Sequence, residues 1–306
     1  MQFNDDNQIE NLISKWEKEI TPVPQFSDNV KILQIRYKPS DKAIMDIFRA
    51  VLLSKEISLR VYELTSAIIS LFPTNYNAWV LRRKCLDKVK EIDCLEELNW
   101  LDKIILKNQK NYQIWHHRKL LIEKINDVSH EKKILKEVFK IESKNFHAWT
   151  HRIWMIRRFN NIEGEFEFID NMLRHDIKNN SVWNYRFFLV KYINKDLNKE
   201  IIIKEIKYAL KKIEFCPDNE CPYCYIRGTI TKYKYKYTDF IFVRQTLEKI
   251  EKKEISYSLL LLLDFYEEEK NEIKFNEMIE KLIKIDFIRK KYYGWRKENS
   301  IFKNTK

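Results

Sequence analysis

The sequence predicts an all-α protein, a right-handed superhelix (an α-α solenoid) of antiparallel helical hairpins. The first observation is a recurring motif: Asn, an aromatic residue or Asn, two variable residues, Trp, two variable residues, then Arg. Trp79, Trp115, Trp149 and Trp183 stand 36, 34 and 34 residues apart, and a fixed period in this range is typical of helical-hairpin solenoids. The second is composition, because three Gly and six Pro in 306 residues are too few turn formers for an all-β fold.

Each copy of the motif is expected to open a helix. Asn is a preferred N-cap because its side-chain oxygen accepts a hydrogen bond from a free N–H of the first turn, so Asn111 should begin one. Tyr112, Trp115 and Arg118 follow at i, i+3 and i+6 and are expected along one face. The Trp should pack against the neighbouring hairpin, and the Arg should pair with a carboxylate or a carbonyl. The signature residues are Trp79, Trp115, Arg118, Trp149, Arg152, Trp183 and Arg186.

The chain is predicted to consist of an N-terminal segment, residues 1–39, and a single repeat domain, residues 40–306. The N-terminal segment should hold one helix, roughly residues 7–20, and then an extended arm, because Pro22 and Pro24 interrupt the helical pattern. The apolar periodicity predicts further helices over residues 41–52, 54–71, 75–90, 92–107, 111–125, 131–142, 145–159, 162–178, 183–192, 197–215, 239–251, 256–268 and 272–285.

Some boundaries depend on particular residues. Asp41, Ser54 and Ser129 are expected to start or cap the helices that follow them. A degenerate fifth copy begins at residue 219, where Tyr223 stands in the place of Trp and Ile226 in the place of Arg. Terminal repeats are often atypical. A closing helix follows residue 286, and the last residues read as a frayed tail.

Composition limits the classes of function. The net charge is +12 and the pI is near 9.2, but Lys alternates with Glu along most segments, which is typical of solvated helix faces. No phosphate-binding Gly-rich loop or nucleophile elbow is present. The longest aliphatic run, Leu259 to Leu263, is too short to span a bilayer. The first residues do not resemble a secretory signal, and five Cys in such a chain predict reduced thiols and a cytoplasmic protein.

Cys and His residues give no convincing metal site, so this chain is predicted to bind no metal. Cys216, Cys221 and Cys224 have spacings close to those of zinc ligands, but no His lies near them in the sequence. His147 and His151 have the i,i+4 spacing of a helical zinc pair, but Ala148 replaces the Glu of that motif. His116 and His117 should face different sides of a helix.

Lys110, just before the expected cap Asn111, is the clearest candidate for anion binding. Helix N-termini carry free N–H groups and partial positive charge, so they attract phosphates, and a lysine at such an end makes a diphosphate site plausible. The alternative is an ordinary solvated lysine in a loop, and the residues by themselves leave both interpretations open.

The repeats resemble those of protein prenyltransferase alpha subunits, above all the subunit shared by protein farnesyltransferase and geranylgeranyltransferase type I. The resemblance rests on FRAVL at 48–52, KNYQIWHHR at 110–118, KNFHAWTHR at 144–152, NNSVWN at 179–184 and the closing DFIRKKYY at 286–293. It extends from about residue 37 to residue 295. Four ordered copies with both flanks are far more specific than any single copy.

This resemblance implies a crescent of helical hairpins wrapped around a beta subunit. The reaction that it implies is transfer of a farnesyl or geranylgeranyl group from prenyl diphosphate to the Cys of a C-terminal C-a-a-X motif. The beta subunit is expected to hold the catalytic zinc, with magnesium as a second candidate metal, and most of the prenyl-diphosphate pocket. Expected partners are therefore the beta subunit, prenyl diphosphate and CaaX proteins, without nucleic acid.

The resemblance also implies roles for individual residues. Lys110, Tyr112, Asn145 and His147 correspond to catalytic or active-site positions, and Lys110 would contact the diphosphate. The substrate-binding positions that it implies are Gln113, Tyr76 and Phe146. Gln113 would contact the terminal carboxylate of the protein substrate.

Phe146 departs from the farnesyl and type I pattern, which has Tyr there, so a hydroxyl near the diphosphate is missing. Rab-type alpha subunits also carry Phe at this place, which keeps a Rab geranylgeranyltransferase alpha subunit as one alternative. Tyr112 and Gln113 favour the farnesyl and type I group. The other alternative is a non-enzymatic helical-repeat scaffold that binds protein or RNA, because such scaffolds share the hairpin architecture and this chain is basic.

Overall fold

The computed structural model describes residues 6–25, 36–194 and 198–302, and in these ranges the chain forms helices without a β-strand. Its α-helices are α1 Asp6–Trp16, α2 Pro39–Ser54, α3 Leu59–Leu71, α4 Tyr76–Lys88, α5 Cys94–Lys107, α6 Tyr112–Ile125, α7 Glu131–Ile141, α8 Phe146–Phe159, α9 Glu165–His175, α10 Asn180–Ile193, α11 Lys199–Phe215, α12 Glu220–Lys232, α13 Ile241–Ile250, α14 Ser256–Glu268, α15 Glu272–Ile285 and α16 Lys290–Glu298. Short 3₁₀ helices occupy Tyr237–Phe240, Glu251–Lys253 and Phe287–Arg289. The all-α, helical-repeat prediction is confirmed.

The chain forms two compact units, Met1–Asn161 and Ile162–Lys306. In the first unit α3 packs on α4, α5 on α6 and α7 on α8. In the second, α9 packs on α10, α11 on α12 and α14 on α15. The predicted extent of the repeat domain, residues 40–306, stays a prediction. Within the described residues no helix combines the length and the apolar character needed to cross a bilayer.

Several predicted helix starts are wrong by a few residues. Helix α2 starts at Pro39 instead of after Asp41, because Pro is well suited to the first helical position. Helix α3 is capped by Ser58, whose hydroxyl accepts from the Val61 amide, whereas Ser54 ends α2. Ser129 does not cap α7, because its hydroxyl donates to Asp127 in the preceding turn.

The N-terminal helix α1 ends at Trp16, earlier than the predicted residue 20. Most of the predicted extended arm (26–35), the predicted helix start at 197 and the tail at 303–306 lie outside the described residues.

The Asn residues that open the motif are N-caps, as predicted. In all five copies the side-chain oxygen accepts from an amide of the first turn. Such a cap typically contributes about 1 kcal/mol. The five caps are Asn75, Asn111, Asn145, Asn179 and Asn219.

The Trp and Asn of successive repeats share one backbone acceptor. In the first unit, Trp79 Nε1 donates to the Pro73 carbonyl at 2.8 Å, and Asn111 Nδ2 of the next repeat donates to the same oxygen at 2.7 Å. In the second unit, Trp183 and Asn219 share the Ile177 carbonyl at 3.0 and 2.8 Å. The motif therefore ties each loop before a helix to the next repeat.

The degenerate fifth copy keeps this geometry. Tyr223 takes the place of Trp, and its hydroxyl donates to the Pro217 carbonyl at 2.8 Å. The donor again reaches the carbonyl six residues earlier in the chain, so a phenol replaces the indole N–H without loss of the bond.

The prediction that Tyr112, Trp115 and Arg118 share one helix face is wrong. Tyr112 is 68% exposed, whereas Trp115 and Arg118 are 6% and 0% exposed. Residues i and i+6 differ by about 120° around a helix with 3.6 residues per turn, so the first and third positions of this set diverge. Tyr112 therefore points to solvent, while Trp115 and Arg118 enter the core.

The signature residues Arg118 and Arg186, and Arg82 at the same position of the motif, bind buried carboxylates, as predicted for the motif Arg. Arg118 donates to Glu131 at 3.0 and 2.6 Å, and both side chains are shielded from solvent. Arg186 holds Glu205 at 2.7 and 2.9 Å. In the first unit, Arg82 holds Glu97 at 2.7 and 2.5 Å. Two parallel N–H···O bonds make these pairs geometrically specific.

These buried carboxylates, and Glu165 as well, each lie at hydrogen-bond distance from a residue on the next helix of the chain, and this pattern was not anticipated. The donor stands 20 residues after the carboxylate in every case. It is the residue two positions after the Trp, or after the Tyr that replaces it. The constant separation of 20 residues is therefore the sequence pattern from which these pairs could have been predicted. The pairs are His117–Glu97, His151–Glu131, Tyr185–Glu165 and Tyr225–Glu205.

We expect the chain to lose stability as the pH falls from 7 to 5. His117 and His151 are buried at hydrogen-bond distance from Glu97 and Glu131, and burial lowers the pKa of both imidazoles below 6.5. Below that pH the unfolded state binds more protons than the folded state. The free energy of unfolding should then fall by up to about 1.4 kcal/mol per pH unit for each histidine.

Urea unfolding at several pH values between 7 and 5 measures this dependence. The double variant His117→Gln, His151→Gln keeps a hydrogen-bond donor at each site but cannot titrate, so its stability should vary less over the same range. If the free energy of unfolding depends on pH equally in the double variant and in wild type, His117 and His151 are not the cause of the pH dependence.

Candidate functional site

Three loops of the first unit border one groove of about 710 Å³. They precede α4, α6 and α8, so each ends at an Asn cap. Backbone carbonyls hold the loops side by side, since the Asn111 side chain donates to the Pro73 carbonyl and the Asn145 side chain donates to the Gln109 carbonyl. The groove is lined by Pro73, Thr74, Leu106, Lys107, Asn108, Gln109, Lys110, Asn111, Ile141 and Glu142.

Lys110 supplies an exposed positive charge to this groove. Its side chain is 78% exposed, and its ammonium lies 3.2 Å from Oε1 of Glu142. The other carboxylate oxygen of Glu142 accepts from the Asn145 amide at 3.1 Å. Because an exposed ion pair contributes only about 0–1 kcal/mol, a multiply charged anion could displace Glu142 from the ammonium at little cost.

At the N-terminus of α6, next to Lys110, some of the free N–H groups already have a hydrogen-bond acceptor. The Asn111 side chain accepts from the amides of Gln113 and Ile114 at 2.8 and 3.4 Å. The cap therefore uses two of the first-turn N–H groups that an anion would otherwise contact. The Lys110 ammonium, rather than the helix end, is the stronger source of positive charge here.

His147 connects the neighbouring side chains. Its ring meets the Tyr112 ring edge-on with centroids 4.3 Å apart, and it lies nearly parallel to Trp115 at 6.4 Å. It also hydrogen-bonds to the backbone of Lys110. Burial is the main influence on this half-buried imidazole and lowers its pKa, so it is neutral at pH 7. His147 therefore holds Tyr112 and the Lys110 backbone in place without adding charge.

Exposed aromatic side chains mark the first residues of three helices. Tyr76, Tyr112 and Phe146 begin α4, α6 and α8 and are 67%, 68% and 67% exposed. Large aromatic rings that face solvent at equivalent positions are typical of a contact surface. Phe146 lies against His147 with centroids 5.6 Å apart and, having no hydroxyl, makes only apolar contacts.

The structure brings five of the seven predicted site residues into one connected cluster: Lys110, Tyr112, Asn145, Phe146 and His147. Within the described residues, no side-chain hydrogen bond, ion pair or ring contact joins Tyr76 or Gln113 to this cluster. Both lie in the first turn of a helix that borders the groove. The roles of all seven in binding or catalysis stay predictions.

Glu142 is a site residue that was missed. It contacts Lys110 and Asn145 together, but it precedes Asn145 by three positions, and no other repeat copy has Glu there. Its contact with Lys110 crosses from one repeat to the next, so no local pattern could identify it.

Asn145 is only 2% exposed, and both polar atoms of its side chain make hydrogen bonds. The oxygen accepts from the Ala148 amide at 3.0 Å, and the nitrogen donates to Glu142 and to the Gln109 carbonyl. These contacts favour a positioning role over direct contact with a substrate.

We expect Asn145→Ala to lower the free energy of unfolding by about 1–2 kcal/mol, because the cap of α8 is lost. Asn145→Ser, which keeps an oxygen acceptor, should recover much of this loss. Urea unfolding of the two variants measures the effect. Full stability in Asn145→Ala would contradict the structural interpretation.

The three clustered cysteines are engaged in local contacts. Cys216 Sγ donates to Asp218 at 3.1 Å, and Cys221 Sγ lies 3.5 Å from the Lys178 carbonyl. Cys224 is exposed. Among the described residues, no three His, Cys, Asp or Glu side chains come together in a way that could hold a metal ion.

Comparison with known proteins identifies the repeat. The model of the protein prenyltransferase alpha subunit repeat matches residues 94–125, 128–159 and 162–193. These segments correspond to the helix pairs α5–α6, α7–α8 and α9–α10, so the family repeat begins one helix earlier than the Asn motif.

Several curated relatives are named protein farnesyltransferase/geranylgeranyltransferase type-1 subunit alpha. The Dictyostelium discoideum protein is 34% identical over 299 residues, which cover 92% of this chain and 91% of that protein. The Candida albicans and Schizosaccharomyces pombe proteins are 33% and 36% identical over 118 and 113 residues. Those two alignments span 39% and 38% of the relatives' own length, and 38% and 37% of this chain.

A solved structure has the same fold. The chain matches Candida albicans protein geranylgeranyltransferase-I complexed with GGPP with a TM-score of 0.84 and 28% identity. The match covers 92% of this chain and 97% of that one. The similarity therefore includes nearly the whole helical repeat and not only its central copies.

Proposed function

The chain belongs to the protein prenyltransferase alpha-subunit family, and on this premise we propose that it is the alpha subunit of a cytoplasmic heterodimeric protein prenyltransferase. With a beta subunit it would transfer a farnesyl or geranylgeranyl group from prenyl diphosphate to the Cys of C-terminal CaaX motifs. The observation that carries the proposal is the cluster around Lys110, in which an exposed cation paired with Glu142 lines a groove beside the Tyr112–His147 ring pair. The names of the relatives favour this group over a Rab-type subunit.

In this proposal Lys110 acts on the leaving group. The thiolate sulfur of the substrate bonds to C1 of the prenyl chain as the C1–O bond breaks, and the diphosphate leaves with the electron pair. Negative charge on the diphosphate oxygens grows during this step. An ammonium that exchanges Glu142 for those oxygens stabilises the transition state more than the ground state.

The other residues of the cluster prepare this contact. Tyr112 and Phe146 would cover the groove with aromatic surface, and His147 would hold the backbone on which Lys110 stands. Gln113 and Tyr76 would serve the protein substrate. We place the zinc, and magnesium if it is used, in the beta subunit, because the described residues of this chain offer no ligand group.

The test is reconstitution. The chain purified alone, the beta subunit alone and the co-expressed pair are compared for transfer of a prenyl group to a dansylated CaaX peptide. Activity is expected from the pair alone, and a zinc chelator should abolish it while the two chains stay associated. Transfer by this chain unaided, or failure of the chains to associate, would overturn the proposal.

A further inference from the structure

Arg83 is a half-buried cation without an acidic partner in the part of the chain that the structure describes. Its Nη1 is shielded from solvent and makes no hydrogen bond, and burial lowers the pKa of the guanidinium. The adjacent Arg82, in contrast, binds Glu97 through two N–H groups. A shielded charged nitrogen without a partner is unfavourable, and such groups in native proteins call for an explanation.

Two further basic side chains lie near Arg83 on the next repeat. Helix α6, which carries His116 and Lys119, packs on α4. Burial, followed by the charges of Arg83 and Lys119, lowers the pKa of His116, and Glu123 is the acidic group that opposes them. Lys119 lies over the Trp154 ring at 5.3 Å instead of pairing with a carboxylate. Among the charged groups acting on His116, Arg83 and Lys119 are basic and Glu123 is acidic. Asp87, one turn after Arg83 on α4, pairs with Lys124 of α6.

This basic cluster lies on the helix face that carries the exposed aromatic rings. Arg83 follows Tyr76 by seven residues, and Lys119 follows Tyr112 by seven. Seven residues are two helical turns, or about 10 Å along the axis. A partner that closes over Lys110 and the aromatic helix starts would therefore continue onto Arg83, His116 and Lys119.

We infer that Arg83, His116 and Lys119 form an anion-accepting cluster that binds a carboxylate of the partner subunit. The inference rests on the proposed function and adds to it the chemistry of one contact. Arg presents a planar fork that suits a carboxylate, and its half-burial strengthens the bond once water is excluded. We assign this carboxylate to the partner subunit because Arg83, whose Nη1 makes no hydrogen bond, lies on the helix face next to the proposed active site.

The experiment uses the co-expressed heterodimer with Arg83→Glu and Lys119→Glu. Lys103→Glu is the matched control, because Lys103 is an exposed lysine on α5 and the charge reversal is the same. Dissociation constants are measured by mass photometry at several salt concentrations. Arg83→Glu should raise the dissociation constant at least tenfold, Lys119→Glu should raise it less, and Lys103→Glu should leave it within twofold of wild type.

Arg83→Met separates partner binding from a structural role. It removes the charge but keeps much of the apolar stem, so the melting temperature of the full-length chain should stay the same or rise while the heterodimer weakens. A lower melting temperature with unchanged association would overturn the inference, as would equal effects of Arg83→Glu and Lys103→Glu. If wild-type chain does not associate with the beta subunit, the proposed function fails, and this inference fails with it.

Discussion

Replacing Lys110 by Ala is expected to lower kcat of the assembled heterodimer by about 10-fold to 1,000-fold, the range for loss of one electrostatic donor. The side chain is 78% exposed, and among the described residues the ammonium forms an ion pair with Glu142 alone, so it is free to move to an anion. Charge on the diphosphate grows as the carbon–oxygen bond breaks. The contact therefore matters more in the transition state than in the ground state, and prenyl-diphosphate affinity should change much less than kcat.

Single-turnover transfer to a dansylated CaaX peptide measures this effect without interference from product release. Lys144→Ala is the matched control, because Lys144 precedes the cap Asn145 as Lys110 precedes Asn111. It should change the rate less, and neither variant should affect assembly of the heterodimer. Equal single-turnover rates for wild type and Lys110→Ala would remove Lys110 from the mechanism and leave it as a solvated loop lysine.

Replacing Glu131 by Ala is expected to lower the free energy of unfolding by about 3–5 kcal/mol, the cost of breaking a buried ion pair from one side. Glu131 is fully buried and accepts two hydrogen bonds from Arg118 and one from His151. Without it the Arg118 guanidinium keeps Asp102 as an acidic partner but loses two hydrogen bonds, and the His151 ring loses its hydrogen-bond partner. The variant therefore leaves a buried charge undercompensated.

Urea unfolding at pH 7 measures the loss, and Glu137→Ala provides the control. Glu137 pairs with Lys140 at 2.8 Å, but both side chains are largely exposed, so its removal should cost less than about 0.5 kcal/mol. Similar losses in the two variants would contradict the importance of the buried network.

The pH dependence gives a second check on Glu131. Burial opposes its ionisation, but the hydrogen bond from His151 and the charge of Arg118 outweigh burial and lower the pKa to about 2 from the usual 4.5. A carboxylate with a lowered pKa contributes stability above pH 4.5, and this contribution disappears as the pH falls towards 2. Wild type should therefore lose stability between pH 4.5 and pH 2, and Glu131→Ala should lose less over that range.

The sequence alone determined the repeat, its caps and its family. Helix periodicity and capping are local, because an Asn side chain reaches the amides of its own first turn and a Trp returns every 34 or 36 residues. Asn111 and Asn145 are caps as predicted, and Arg118 binds a carboxylate as predicted. The boundaries that were wrong, at Asp41 and Ser129, belong to helices α2 and α7, whose first turns have no side-chain cap.

The tertiary structure decided which groups meet. Glu131 on α7 receives Arg118 from α6 and His151 from α8, and the packing of these neighbouring helices brings the three side chains together. The ion pair between Lys110 and Glu142 likewise joins two repeats. The half-buried state of Arg83 is a tertiary property as well, because it depends on the helix that packs beside α4. Local chemistry sets the helices, whereas burial and partner choice follow from how the repeats pack.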